Sequence, residues 1–200
     1  MKFDLQNSQQ MEMDINNDIE RILYSSQEIS ERVKELASQI TKDFDHKPSS
    51  FPVLVGVATG AFLFLADLVR KINLPITVDF VRVESYASGT VSNGKPIISS
   101  DLKCDVIGNH VILVEDIVDT GNTLSCLIAH LKTKGASSVS VCTFLDKPSR
   151  RKIDFELVGK GKYYCGFECP DEFVVGYGLD FAEMYRNLPF VGVLKPHIYK

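Results

Sequence analysis

The residues of this chain best suited to chemistry stand together in one stretch, Glu115-Asp116-Ile117-Val118-Asp119-Thr120-Gly121-Asn122-Thr123. Two adjacent carboxylates open it. A turn with a third acid, two threonine hydroxyls, a glycine and an amide closes it. Carboxylates are poor phosphate ligands but good acceptors for sugar hydroxyls, and they bind Mg²⁺ directly or through water. A helix that starts at the end of such a turn offers unsatisfied N–H groups and a partial positive charge, both of which attract phosphate. Gly121 would let the backbone approach closely, and Thr120 and Thr123 could add hydroxyl donors. Asp119, deeper in the turn, is available to take a proton. A lone Asp-Thr-Gly turn would merely cap a helix, but the two acids ahead of it point to a phosphorylated sugar.

The elements around this stretch must hold it in place. Val111-Ile112-Leu113-Val114 leads into it and reads as a central parallel strand buried on both faces. Neighbours on a regular strand point to opposite faces, so Glu115 and Asp116 can share a ligand only where the strand has begun to turn. Leu124, Leu127, Ile128 and Leu131 then mark one face of a helix that Gly135 stops. Upstream, Ser25 with Glu28 makes a capping box, and Ile29, Val33, Leu36, Ile40 and Phe44 recur at helical spacing. Asp45 to Ser50 reads as a polar loop, Pro52 to Val57 as a second buried strand, Ala58-Thr59-Gly60 as a turn and Ala61 to Ile72 as a helix. Ile76 to Glu84 reads as a strand. Tyr86 to Asp101, rich in Ser, Gly and Asn, reads as a long loop of the kind that forms lids. Val139 to Leu145, Phe173 to Tyr177 and Val191 to Leu194 are further strands.

Strands alternating with helices place the chain in the α/β class. The expected architecture is a central, largely parallel sheet flanked by helices, with ligands at the strand carboxyl ends and a small hood from the N- and C-terminal segments. Residues 18–200 are expected to form a single domain behind a flexible N-terminus, 1–17.

The 200 residues suffice for a sizeable core, and a net charge of −4 argues against a broad nucleic-acid surface. Five cysteines, an odd number, with no secretory signal pattern fit a reducing compartment. Cys165 and Cys169 lack a matching Cys/His pair and read as thiols rather than a zinc site. No stretch is long and apolar enough for a membrane span, so a cytoplasmic protein is expected. His46, His110, His130 and His197 show no metal-ligand spacing. Neither Gly-x-x-x-x-Gly-Lys nor Gly-x-Gly-x-x-Gly occurs, which argues against a kinase or a dinucleotide enzyme.

Two more constellations matter. Lys147 opens Lys147-Pro148-Ser149-Arg150-Arg151 beyond a strand and can donate to a carbonyl or a phosphate, although a solvated basic turn is an equal alternative. In Phe173-Val174-Val175-Gly176-Tyr177-Gly178-Leu179-Asp180, the Phe could stack on a planar base or simply fill a core. Asp180 could bind a metal or cap a helix, and Arg186 could grip a pyrophosphate through its fork.

Glu-Asp-x-x-Asp-Thr-Gly-x-Thr after an apolar strand resembles the phosphoribosyl pyrophosphate signature of type I phosphoribosyltransferases. With Asp-Lys-Pro-Ser-Arg-Arg and Phe-Val-Val-Gly-Tyr-Gly-Leu-Asp-Phe-x-Glu-x-Tyr-Arg, the chain is similar to the 6-oxopurine branch, the hypoxanthine-guanine phosphoribosyltransferases. Ala58-Thr59-Gly60 resembles the pyrophosphate loop of that branch, and Ser85-Tyr86 starts a segment like its mobile lid. The resemblance runs from about Ile22 to the C-terminus. Thr59 stands where many members have Lys or Asn, and Asn122 replaces a commonly basic residue.

The resemblance implies transfer of a 5-phosphoribosyl group from phosphoribosyl pyrophosphate to hypoxanthine or guanine, giving IMP or GMP and pyrophosphate, with Mg²⁺. It implies that Glu115 and Asp116 face the ribose hydroxyls and the metal, and that Asp119, Thr120, Gly121, Asn122 and Thr123 cradle the 5-phosphate. Asp119 would be the general base at purine N7. Lys147 would donate to the 6-oxygen, Phe173 would stack on the base and the Val174 backbone would read its edge. Asp180 would line the purine site and bind Mg²⁺ on the pyrophosphate side, and Arg186 with the Thr59-Gly60 backbone would hold pyrophosphate, the Thr59-Gly60 peptide being cis in some members. The family also implies a homo-oligomer, dimer or tetramer, with no nucleic-acid or membrane partner. The alternatives are a non-catalytic regulatory relative that binds phosphoribosyl pyrophosphate and a xanthine-preferring transferase. A pyrimidine enzyme is disfavoured by Lys147 and the run from Phe173 to Asp180.

Overall fold

The computed structural model describes residues 17–45, 51–85 and 96–200. In chain order its elements are β1 (Ile19–Tyr24), α1 (Ser26–Phe44), β2 (Val53–Ala58), α2 (Phe62–Val69), β3 (Thr77–Ser85), β4 (Pro96–Ser100), β5 (His110–Val118), α3 (Asn122–Thr133), β6 (Ser138–Asp146), a 3-10 turn (Pro148–Arg150), β7 (Tyr163–Glu168), β8 (Val174–Val175), β9 (Val191–Leu194) and α4 (Pro196–Tyr199). The chain divides into two compact units, Ser30–Asp171 and a smaller one made of Met1–Ile29 with Glu172–Lys200. The expected flexible N-terminus lies outside the described residues but for Asn17, and the loop to Ser50 but for Asp45.

The larger unit is built on a six-stranded sheet of order β4-β3-β2-β5-β6-β7, parallel except for the antiparallel edge strand β4. Its central strands are continuous apolar runs because both faces are covered. Val111 to Val114 are completely buried, as are Leu54, Val55, Val139 and Val141. On one face Leu124, Leu127, Ile128 and Leu131 of α3 pack on Val55, Leu113 and Val141. On the sheet's other face Phe64 of α2 meets Phe144 of β6, ring centroids 5.4 Å apart. Each such fully buried side chain contributes about 2 kcal/mol. The chain runs from β2 to β3 on one side and from β5 to β6 on the other. The gap between the ends of β2 and β5 is therefore the switch point at which α/β sheets bind ligands.

The smaller unit carries the antiparallel sheet β1-β9-β8. Val175, Tyr185, Leu188 and Leu194 form its core. The capping box is realised reciprocally. The Ser25 backbone N–H donates to Glu28 Oε2 (2.8 Å), and the Glu28 N–H donates to Ser25 Oγ (3.3 Å). The Ser25 hydroxyl, which donates to Glu28 Oε2 at 2.6 Å, and then the Ser25 N–H hold the Glu28 carboxyl below its ordinary range.

Several sequence expectations need correction. Pro96–Ser100, read as part of a loop, is β4, because pairing with β3 satisfies its backbone although a proline and two serines weaken its strand signal. β1 and β7 were not anticipated. Gly166 interrupts the pattern of β7, while β1, Ile-Glu-Arg-Ile-Leu-Tyr, is an edge strand without regular alternation that depends on β9 and has two register shifts. The helix expected over Ala61 to Ile72 spans Phe62–Val69. The N–H groups of Lys71 and Ile72 both turn back to the Leu68 carbonyl and close it. All five cysteines are free, and Cys142 and Cys169 are buried. Among the described residues no helix is long and apolar enough to cross a membrane.

Candidate active site

The β2–β5 ladder ends at Gly56 and Val114, one residue short of Glu115. β5 continues, paired only with β6, to Val118 opposite Asp146. Released from one neighbour, this strand end brings the two adjacent carboxylates together, although a regular strand would separate them. Glu115 is buried, and its Oε2 is the one buried side-chain polar atom among the described residues without a hydrogen-bond partner. Burial, and then the neighbouring Asp116 carboxylate, push its pKa well above the ordinary range. Asp116 Oδ1 accepts from the Ile117 N–H (2.8 Å). Its Oδ2 lies against the bare Cα of Gly60, where an added Cβ would stand only 1.6 Å away.

The turn Ala58-Thr59-Gly60 thus meets the acid pair at the switch point. Its cis peptide is Ala58–Thr59 rather than Thr59–Gly60. Without a proline no sequence signal marks which bond is cis. Arg82 of β3 stands in register with Ala58 and lines a cleft of about 470 Å³ with Glu84, Ser99 and Ser100. Sequence reasoning did not single out this cation. Strand pairing decides which β3 residue lies opposite the turn, and periodicity does not show it.

Past β5 the chain turns through Gly121, whose φ of 87° suits glycine, into the first turn of α3. A Cβ there would stand 2.3 Å from the Ile153 carbonyl oxygen. The N–H groups of Lys152 and Ile153 both donate to the Thr120 carbonyl (3.0 Å each). The Asn122 N–H leans on Thr120 Oγ1 (3.4 Å). A small cavity of about 70 Å³ lies between Glu115 and the turn from Asp119 to Leu124. Asp119 is half-exposed, and its Oδ1 accepts from Arg150 Nε at 3.0 Å. Arg150 also approaches Asp171 at 3.6 Å. Lys147 is buried, and its N–H donates to the Val118 carbonyl (2.9 Å), which keeps the two strand ends side by side. Ser85 ends β3, and Tyr86 lies outside the described residues.

In the smaller unit Phe173 is half-buried. It stacks on Tyr199 (centroids 4.6 Å, 19°) and meets the edge of Phe181. Nothing local in the sequence marks Tyr199 as a partner of Phe173. Val174 pairs with Val193. Asp180 Oδ1 lies 2.9 Å from Arg186 Nη2, and its Oδ2 accepts from the Glu183 N–H (2.9 Å). Arg186 Nη1 donates to the Gly178 carbonyl (2.7 Å), so the expected metal ligand and pyrophosphate cation form one knot. Among the described residues no group of three or more metal-ligating side chains converges. A metal on the Glu115–Asp116 pair would therefore take its remaining oxygens from elsewhere, as Mg²⁺ commonly does from substrate phosphates.

An acid pair and a phosphate-type turn at the switch point of a parallel sheet define a phosphoribosyltransferase class of site, and comparison with known proteins agrees. The phosphoribosyl transferase domain family matches residues 21–182. The hypoxanthine-guanine phosphoribosyltransferase of Bacillus subtilis is 45% identical over 186 residues, covering 93% of this chain and 99% of that protein. The enzyme of the same name from Streptococcus pneumoniae is 46% identical over 185 residues, covering 92% and 98%. Among solved structures, a hypoxanthine phosphoribosyltransferase from Staphylococcus aureus superposes with a TM-score of 0.83 at 41% identity, covering 93% of this chain and 97% of that one. The chain belongs to the phosphoribosyltransferase family and, within it, to the hypoxanthine-guanine branch, a family of enzymes.

Proposed function

We propose that this enzyme serves purine salvage in the cytoplasm. It transfers the 5-phosphoribosyl group of phosphoribosyl pyrophosphate to hypoxanthine or guanine and releases IMP or GMP and pyrophosphate. The observation that carries the reading is the contact of Asp116 with Gly60. It joins an acid pair suited to ribose hydroxyls to a loop suited to pyrophosphate, directly before a phosphate-type turn. In this reading Glu115 and Asp116 accept from the ribose hydroxyls. The N–H groups and hydroxyls of Thr120, Gly121, Asn122 and Thr123 hold the 5-phosphate.

Breaking the bond to pyrophosphate builds positive charge on the sugar and negative charge on the leaving group. Thr59, Gly60 and Arg186 hold that leaving group. Asp119 takes the proton from purine N7, Lys147 donates to the 6-oxygen, Phe173 stacks on the base and the Val174 backbone reads its edge. A 6-amino group would leave Lys147 unpaired, a mismatch worth roughly 10⁴-fold in selectivity. The segment from Ser85 and Tyr86 onward serves as a lid against water.

Mg²⁺ suits the donor set, because the orphaned oxygen of buried Glu115 beside Asp116 is relieved by a cation. Glu115 and Asp116 would hold it, and Asp180, released from Arg186, would hold Mg²⁺ on the pyrophosphate side. Bound there, it would offset the charge of the pyrophosphate. The enzyme works as a homo-oligomer, with neither nucleic acid nor membrane as partner.

The test is a spectrophotometric assay with phosphoribosyl pyrophosphate, Mg²⁺ and, in parallel, hypoxanthine, guanine, xanthine, adenine and uracil. Turnover with hypoxanthine or guanine that chelation abolishes is expected. Binding of phosphoribosyl pyrophosphate without turnover of any base would overturn the reading in favour of a regulatory protein, and a preference for xanthine would revise the substrate.

A further inference from the structure

We propose that Arg151 is a positioning residue for this reaction, its guanidinium tying the turn that carries Asp119 to the strand end that carries Lys147. The proposal rests on the roles assigned above to those two residues. β5 and β6 end side by side, their last paired residues being Val118 and Asp146. The ladder stops at that pair, and the proposed base and the proposed 6-oxygen donor follow immediately, one on each strand. Arg151 bridges the two. Its Nη2 pairs with Asp146 Oδ1, and its Nε donates to the Asp119 carbonyl oxygen (3.3 Å). The guanidinium also lies 5.3 Å from the centre of the Phe155 ring.

The tie is shielded from solvent. The Arg151 and Asp146 side chains are 19% and 16% exposed, whereas Arg150 and Asp119 are 46% and 40% exposed. Asp146 is itself held from a second side, its Oδ2 accepting from the Tyr163 hydroxyl (3.0 Å). Burial, and then the Asp146 charge, raise the Tyr163 pKa, so the hydroxyl keeps its proton and stays the donor. The turn lies directly on the Arg151 stem, because a Cβ on Gly121 would stand 3.0 Å from Arg151 Cδ. One side chain thus touches the phosphate turn, the backbone of the proposed base and the residue preceding Lys147. A lysine has one compact head and cannot reproduce a fork that serves a carboxylate and a carbonyl together.

The test is steady-state kinetics, phosphoribosyl pyrophosphate binding and thermal unfolding for Arg151→Met, Arg151→Lys, Asp146→Asn and the Asp146→Asn/Arg151→Met double variant, with Asp119→Asn as control. Misplacing reacting groups by about an ångström costs roughly 100-fold, so a loss of that order in kcat/KM is expected for Arg151→Met. Weaker phosphoribosyl pyrophosphate binding and a smaller preference for hypoxanthine over adenine should accompany it, since both sides of the tie move. Arg151→Lys should not restore these values, and the double variant should be no worse than Arg151→Met. Kinetics close to wild type in Arg151→Met, full rescue by Lys, or additive losses in the double variant would each overturn the proposal. If Arg151→Met does not fold, Arg151→Lys and Asp146→Asn carry the same test, with unchanged kinetics in both overturning it. An Asp119→Asn variant with wild-type kcat would remove Asp119 as the base. The coupled loss of binding and selectivity would still report on Arg151.

Discussion

A methyl group on Gly60 would stand 1.6 Å from Oδ2 of Asp116, so the turn after β2 and the acid pair ending β5 are in direct backbone-to-carboxylate contact. No side chain fits between them. Gly60→Ala must displace either the loop or the carboxylate. The expected result is a rise of roughly 100-fold in the KM for phosphoribosyl pyrophosphate with thermal stability largely kept. An unchanged KM would show that this contact plays no part in binding.

Arg150 and Asp119 make a different kind of pair. Both are substantially exposed, and an exposed ion pair contributes about 0–1 kcal/mol. Arg150→Met should therefore change kcat by less than about 5-fold and leave the unfolding temperature nearly unmoved. Asp119→Asn should lower kcat by at least about 100-fold at similar KM. Equal effects of the two substitutions would mean that Asp119 acts through its ion pair with Arg150 rather than as a base.

Lys147 is buried beside the Val118 carbonyl, so its position is set by the strand ends rather than by solvent. Lys147→Ala should raise the KM for hypoxanthine and cut discrimination against adenine by about 100-fold or more. Competition assays with the two bases measure this, and an unchanged hypoxanthine KM would remove Lys147 from the base site.

Glu115 couples function to stability through pH. Its folded pKa lies well above its unfolded value because of burial and the nearby Asp116. Folding therefore favours the protonated acid. Relative to acidic pH, stability falls as pH rises above about 4.3, where the unfolded chain ionises first, and the loss is complete above the folded pKa. Glu115→Gln removes this penalty. Its unfolding temperature should exceed that of the wild type at pH 8, the gap should close toward pH 4, and phosphoribosyl pyrophosphate binding should weaken. A gap independent of pH would mean that Glu115 is ionised in the free protein.

Much of the fold was legible because its signals are local. Val111 to Val114 is uniformly apolar since helices cover both faces of β5, and the 3.6-residue spacing of Leu124 to Leu131 records which face of α3 meets the sheet. β1, β4 and β7 were not legible. Their short sequences neither alternate regularly nor run apolar throughout, and they become strands through pairing with β9, β3 and β6. Such propensity is weak beside tertiary context.

The candidate site divides in the same way. Residue types and spacing alone singled out Glu115, Asp116 and the turn from Asp119 to Thr123, because a phosphate turn and its acids are contiguous in the chain. Only the tertiary structure decided that Gly60 abuts Asp116, that Arg82 stands opposite Ala58, and that Arg150 and Arg151 grip Asp119 from two sides. The physical reason is strand order. Parallel neighbours distant in sequence are brought level at their carboxyl ends, and which residues then face one another depends on register, which no periodicity within a single segment encodes.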